Sequence, residues 1–220
     1  MAKTGKGYKG IGMEGTIARW YAVSTAKDTT RFEAQLAQVR RLTGAGSAIL
    51  EVAPGPGYLS IALAGTGDYT VTALDISETF VRIARGKAAE AGVEVDFRLG
   101  NASAMPFDDE SFDFVICCAA FKNFSDPVGA LQEMHRVLRP GGRALINDLR
   151  KDVSKEAVDR DVDEMRLRGL SKMFTRYVLR SVLPRRAYLK SEFAALIGHT
   201  RFRTFDIQET PLALDVELRK

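Results

Sequence analysis

Two carboxylates, Glu51 and Asp75, each stand where an apolar run gives way to turn residues. Between them lies Ala53-Pro54-Gly55-Pro56-Gly57, which sets the stiffest residue type beside the most permissive. Gly55 and Gly57 carry no Cβ, so a ligand can approach their backbone closely and φ can be positive. Pro54 and Pro56 fix φ and remove two N–H donors. A pyrophosphate cradle needs many inward N–H groups, and this turn has given up two. We read it as shaped for the non-phosphate part of a ligand. The dinucleotide fingerprint G-x-G-x-x-G also fails, because Gly55-Pro56-Gly57-Tyr58-Leu59-Ser60 ends in serine. Asp75, 20 residues after Gly55, suits a dinucleotide site and other nucleoside sites alike, since a carboxylate there accepts both ribose hydroxyls.

A second group follows the apolar run "FVICCAA": Phe121, Lys122, Asn123 and Phe124. Phe121 and Phe124 are expected to fill the core. Lys122 is either a solvated loop lysine or a cation for an anionic ligand. Cys117 and Cys118 are adjacent and cannot close a stabilising loop, and no Cys/His spacing suits zinc, so no metal site is expected. On a buried strand they act as small apolar residues rather than nucleophiles. The two histidines, His135 within "EMHRVL" and His199 near a turn, are expected to be structural.

These groups must be positioned by a scaffold, and the chain supplies an alternating one. Strands are expected at Ala48–Ala53, Thr70–Asp75, Glu94–Leu99, Phe112–Ala119 and Arg143–Asp148, with helices between them at Gly57–Ala64, Glu78–Ala91 and Pro127–Leu138. Near-continuous apolar runs suit strands covered on both faces. The rhythm implies an α/β fold with a doubly wound, mostly parallel sheet. "RPGG", Arg139 to Gly142, reads as a helix stop and turn. Helical spacing also covers Ile17–Ala22 and Arg31–Leu42, the latter with Phe32, Leu36, Val39 and Leu42 on one face. Val153–Arg186 reads as basic helices, and Ser191–Ile197 as a short helix with Ser191 as N-cap. "FRTFDIQET" and "LALDVELR", separated at Pro211, complete seven strands as an antiparallel pair.

Residues 1–15 hold five glycines and three lysines and are expected to be a flexible tail or a lid that orders on a ligand. Residues 16–220 are expected to form one domain, with a ligand-binding core over 48–150 and cover helices over 151–190. The net charge of +4 is mild, and the basic cover lacks aromatic–basic or zinc-knuckle motifs, so nucleic acid is not the expected partner. No apolar window of membrane-spanning length and no leader pattern is read, and the expected setting is the cytoplasm. Composition says nothing of oligomeric state.

Four blocks in register carry a resemblance. "ILEVAPGPG", "VTALDIS", "LGNASAMPFDDESFDFVIC" and "ALQEMHRVLRPGGRALI" are similar to the ordered motifs of class I S-adenosylmethionine-dependent methyltransferases, in their ubiquinone/menaquinone-type small-molecule branch. The resemblance spans about Ile49 to Asp148 and implies a Rossmann-like seven-stranded sheet with helical cover. It implies that Glu51, Ala53, Gly55 and Gly57 line the methionine and ribose part of S-adenosyl-L-methionine. By the same carry-over, Asp75 takes the ribose diol and Ile76 packs on adenine. Asn101 and Ala102 hold the adenine edge, and Cys118 to Phe121 form a floor beside the methyl group. Ala53 replaces the family's first motif glycine, and Asn101 stands where relatives often carry aspartate. Tyr21 is expected to reach the methionine carboxylate from the N-terminal helix, and Trp20 beside it is expected to pack. Lys122 and Asn123 occupy positions where relatives often carry histidines.

The implied reaction is direct in-line methyl transfer to a small molecule. With no histidine base and no metal, the acceptor is expected to be a thiol, an amine or an acidic phenol. Arg176, Arg180, Arg185 and Arg186 in the cover would favour an anionic one. An RNA methyltransferase, an NAD(P)-dependent oxidoreductase and a non-catalytic cofactor-binding protein stand as the alternatives.

Overall fold

Alternation of apolar residues between two covered faces builds the central sheet. In β1 (Ala48–Val52) and β4 (Phe112–Cys118), Ile49, Phe114 and Ile116 face one layer while Leu50, Val52, Val115 and Cys117 face the other. All are buried, which is why these strands read as unbroken apolar runs. β2 (Thr70–Asp75) and β3 (Asp96–Leu99) extend the sheet on one side of β1. On the other side of β4, β5 (Leu138–Leu149) runs parallel, and β7 (Ala213–Arg219) and β6 (Thr204–Glu209) follow antiparallel. The order is β3-β2-β1-β4-β5-β7-β6. Connections diverge between β1 and β4, the topological switch where doubly wound sheets bind ligands. The structure is a computed structural model that describes residues 7–9, 12–26, 29–165 and 169–220.

Helices α2 (Thr29–Leu42) and α3 (Tyr58–Gly65) cover one face through Val39, Leu42, Leu59 and Leu63. α5 (Pro127–Val137) and α8 (Lys190–Gly198) cover the other through Leu131, Met134, Phe193 and Ile197. α4 (Glu78–Ala91) starts where Ser77 Oγ accepts the Phe80 N–H and stops at Gly92 with φ +67°. α1 (Gly15–Thr25), α6 (Lys155–Glu164) and α7 (Gly169–Tyr177) complete the helices named here. No helix among the described residues is long and apolar enough to cross a membrane.

Three expectations are corrected. "RPGG" does not form a turn outside the sheet: β5 runs through it as a bulge, with Gly141 at φ +78° and a register shift against Phe112 and Phe114. Ser191 is not the N-cap of α8. Leu189 holds that position, and its N–H donates to the Glu192 carboxylate at 2.9 Å, leaving Ser191 inside the helix. Trp20, expected to pack, is largely exposed.

The segment expected to be a tail or lid is described only in part, since residues 1–6, 10 and 11 lie outside the described residues. Residues 7–9 form a strap along the turn after β4. The Lys9 N–H donates to Asn123 O at 2.7 Å and the Ser125 N–H to Gly7 O at 3.3 Å. Farther on, Glu14 accepts from the Glu78 and Thr79 N–H groups at the start of α4.

Candidate active site

The turn between β1 and α3 opens the site. Its two prolines leave only two amides, and the protein uses both: Gly55 N–H donates to Asp75 Oδ2 at 2.9 Å, and Gly57 N–H to Pro54 O at 3.1 Å. No N–H of the turn proper is left for a phosphate. The glycines serve different ends. At Gly55, φ +56°, an added Cβ would meet only Phe80 and Tyr21 at 4.0 Å, so that side of the backbone is open to a ligand. Gly57, φ +80°, is buried, and its Cβ would fall 2.8 Å from Ala84 and 2.9 Å from Phe97. Helix packing, not ligand approach, demands a glycine at 57.

Backbone strain marks the same rim. Ala53 and Ala119, just beyond β1 and β4, hold φ at +57° and +56°. A residue with a Cβ pays about 1–2 kcal/mol for that left-handed conformation, and two such residues flank the switch point.

Asp75 ends β2 with its carboxylate held from both sides, by Gly55 and by the Ser77 N–H at 2.8 Å. Burial pushes its pKa up to about 6, while those two backbone donors oppose the shift. Two N–H bonds leave room on a carboxylate for further donors. Beside it Ile76 is 37% exposed and offers an apolar face. Asn101 differs from expectation. Its Oδ1 already accepts from Ser103 N–H and Oγ, both at 3.1 Å, so the free capacity is its NH2 donor and not its oxygen. Ala102 packs against the core at the same corner. The strap lies over this corner: a Cβ on Gly7 would come 2.6 Å from Ile76 Cδ1 and 2.9 Å from the Asn101 amide.

Glu51 does not open onto the turn. Its buried carboxylate accepts the Ser60 hydroxyl and the Ser60 N–H, capping α3, and burial raises its pKa to about 7. The sign of the linked stability follows. The folded carboxyl holds its proton more tightly than the unfolded one, with a reference of 4.5, so stability falls as pH rises from about 4.5 to 7. Glu51→Gln keeps an acceptor for Ser60 without the buried charge. It is expected to match wild type near pH 5 and to exceed it by on the order of 2–3 kcal/mol at pH 8.5. Urea unfolding at the two pH values checks this, and a difference that does not grow with pH refutes it.

At the end of β4 the expectation for Lys122 is overturned. It is neither solvated nor free for a ligand: at 4% exposure, its ammonium lies 2.6 Å from Asp148 Oδ1 and 2.5 Å from Ala119 O. Its own N–H donates to Asp148 Oδ2 at 2.7 Å. The pair clamps the ends of β4 and β5 together. Asn123 is 8% exposed, and its amide oxygen has no hydrogen-bond donor among the described residues. Cys118 is half-buried and Cys117 fully buried, its thiol pushed up by burial. Phe121 and Phe124 belong to the core, as expected. Tyr21 stands over the turn, its Cε1 4.0 Å from the Cβ position of Gly55.

The structure thus gathers Tyr21, Ala53, Gly55, Asp75, Ile76, Asn101, Ala102, Cys118 and Asn123 at one rim, and withdraws Glu51, Gly57 and Lys122 into supporting roles. The histidines lie elsewhere: His135 meets Phe202 edge-on at 5.0 Å, and His199 ends α8. Sequence reading missed Tyr8. Its hydroxyl is half-buried, and its pKa is raised mainly by burial and lowered by Arg186, with Asp75 and Asp148 both within electrostatic reach. A tyrosine in a glycine–lysine tail gives no periodic signal that could have marked it.

Residues 50–146 match the family described as "Methyltransferase domain". The chain is 35% identical over 116 residues to a ubiquinone/menaquinone biosynthesis C-methyltransferase of Marinomonas, covering 50% of this chain and 46% of that protein. It is 41% identical over 102 residues to a demethylmenaquinone methyltransferase of Clavibacter sepedonicus, covering 46% of this chain and 41% of that one. The chain therefore spans less than half the length of these relatives. Among solved structures, a putative S-adenosyl-L-methionine-dependent methyltransferase of Methanococcus maripaludis aligns with a TM-score of 0.72 at 20% identity, covering 96% of this chain and 95% of the other. One from Aquifex aeolicus aligns at 0.66 and 21% identity, covering 86% and 88%. These structural matches establish the fold.

Proposed function

We propose, from the premise that residues 50–146 match the methyltransferase-domain family, that this chain transfers a methyl group from S-adenosyl-L-methionine to a small-molecule acceptor. The observation that carries the reading is the turn of residues 54–57, whose two amides are both consumed internally. Such a turn suits a ligand with no phosphate to cradle, which favours S-adenosylmethionine over a dinucleotide.

The residues present fit that nucleoside. Asp75, already oriented by Gly55 and Ser77, has lone pairs left for two ribose hydroxyls. The open side of Gly55, under Tyr21, admits the methionine part, Ile76 offers a face for adenine, and the Asn101 NH2 can donate to a ring nitrogen. When bound, the sulfonium supplies an already activated methyl group. The chain's own task is to orient the acceptor in a dry pocket, which is worth about 7–11 kcal/mol for well-aligned partners. We assign Asn123 to that task, because its buried amide oxygen awaits a donor. The Lys122–Asp148 pair holds Asn123 in place. An acidic phenol, ionised without a protein base, is the acceptor class most compatible with a rim that holds no histidine; the C-methyltransferase names of the relatives fit a ring carbon activated by such a phenolate.

We further assign the strap of residues 7–9 as a lid, because Gly7 rests on Ile76 and Asn101 where adenine would lie. One titration tests both assignments. The full chain is expected to bind S-adenosylhomocysteine, and not NAD, by calorimetry, with slower hydrogen exchange at the Lys9 and Ser125 amides once saturated. Affinity for NAD alone rejects the reading, and unchanged exchange at those amides rejects the lid. Labelled S-adenosylmethionine incubated with a metabolite extract then reveals the acceptor.

A further inference from the structure

A cavity of about 370 Å³ lies beside the rim, lined by Lys9, Lys151, Arg185, Arg186, Tyr188 and Glu192 with Ala187 and Leu196. Its charges do not balance. Lys151 pairs with Glu192 at 2.6 Å, but no carboxylate among the described residues pairs with the other three cations. Lys9 Nζ donates to Tyr188 Oη at 3.2 Å, Arg186 Nη1 donates to Lys9 O at 2.8 Å, and Arg185 is exposed at the edge. The rest of the basic cover behaves differently: Arg176 and Arg180 are neutralised by Asp159 and Asp163. Arg176 and Arg180 were expected to greet an anionic ligand and instead brace α7 and the helical turn of Val178–Val182 against α6. Among the described residues, Lys9, Arg185 and Arg186 share one concavity with no carboxylate paired to any of them.

The cavity is tied to the reaction rim by short links. The Tyr188 ring meets Phe121 at 6.0 Å, and Phe121 directly precedes Lys122 and Asn123. Lys151 N–H donates to Tyr188 O at 3.1 Å just past the end of β5, and Lys9 N–H donates to Asn123 O at 2.7 Å. A molecule seated here would have its polar end among Lys9, Arg185 and Arg186 and its body against Tyr188 and Leu196.

We infer that this cavity is an oxyanion subsite, and that the acceptor is a small, partly aromatic molecule bearing a carboxylate or phosphate group. Guanidinium groups pair with either group through two hydrogen bonds, and the Tyr188 ring and Leu196 offer apolar surface for a ring. Because Lys9 belongs to the strap, the bound anion also fastens the strap across the rim. The inference rests on the methyl-transfer reading for what the anion is attached to, but the subsite itself is tested without turnover.

The test titrates benzoate and phenyl phosphate into the full chain saturated with S-adenosylhomocysteine, by calorimetry or NMR. At least one probe is expected to bind with a Kd in the millimolar range or below. Arg185→Glu, at an exposed and unpaired position, is expected to weaken that binding at least tenfold, roughly the loss of one charge-assisted pair. Arg186→Gln is expected to act likewise, whereas Arg180→Gln leaves affinity unchanged. Benzoate dependence assigns a carboxylate, and phenyl phosphate dependence a phosphate. Failure of both probes, or equal losses in the Arg185 and Arg180 variants, overturns the subsite. S-adenosylhomocysteine affinity is expected to stay within twofold in Arg185→Glu. If wild type does not bind S-adenosylhomocysteine at all, the methyl-transfer reading fails, and the same two probes titrated into the free chain still decide the subsite.

Discussion

Asp75→Ala is expected to weaken S-adenosylhomocysteine binding by about 2–4 kcal/mol, or roughly 30- to 700-fold. The proposed pair of charge-assisted bonds to ribose would be lost, and the Gly55 and Ser77 N–H groups would lose their shared acceptor as well. Asp75→Asn is not expected to restore affinity, because its NH2 would face one of those donors. The wild-type affinity carries its own pH signature. Asp75 must be ionised to accept four donors, and its pKa is raised to about 6 by burial. Affinity is therefore flat above about pH 7 and falls by up to tenfold per unit as pH drops below about 6. Calorimetry from pH 5 to 8, alongside thermal unfolding to separate folding losses, checks both expectations. Unchanged affinity in Asp75→Ala would remove this carboxylate from the site.

Lys122→Met is expected to destabilise the fold by about 3–5 kcal/mol, since it strands a buried carboxylate without its cation. Asp148 is 5% exposed, and after the substitution it would keep only the N–H groups of residues 122 and 149. Adding Asp148→Asn removes the stranded charge, so the double variant is expected to be more stable than the single one. Urea unfolding of the three variants and wild type forms the cycle. A loss below about 0.5 kcal/mol in Lys122→Met is what a solvated lysine gives, and it would refute the clamp. The functional consequence is indirect. If Asn123 orients the acceptor as proposed, freeing the ends of β4 and β5 is expected to lower turnover even where the protein remains folded.

Much of the scaffold was legible because it rests on local chemistry. Thr70–Asp75 and Glu78–Ala91 have the boundaries read from periodicity and caps, since an apolar run ending in a carboxylate and a serine-capped helix ending at glycine are determined within a few residues. Gly55 and Asp75 stood out for the same reason, whereas Asn101 was marked only by the family resemblance. "RPGG" was misread because glycine and proline signal a turn and a bulge alike, and the choice depends on the neighbouring strand at Phe112–Phe114.

What the sequence determined by itself is the order of strands and helices, and a crevice whose turn is poor in donors. Tertiary structure alone decided what each charged or small residue faces. Lys122 became a clamp because β5 brings Asp148 to it from 26 positions away. Gly57 became a packing glycine because Ala84 and Phe97 close on it. Arg185 and Arg186 were left open while Arg176 and Arg180 were neutralised, because only the latter lie across from Asp159 and Asp163. Periodicity records which face of an element is apolar. The partner of a charge is set by which distant segment arrives opposite it, and no local pattern encodes that.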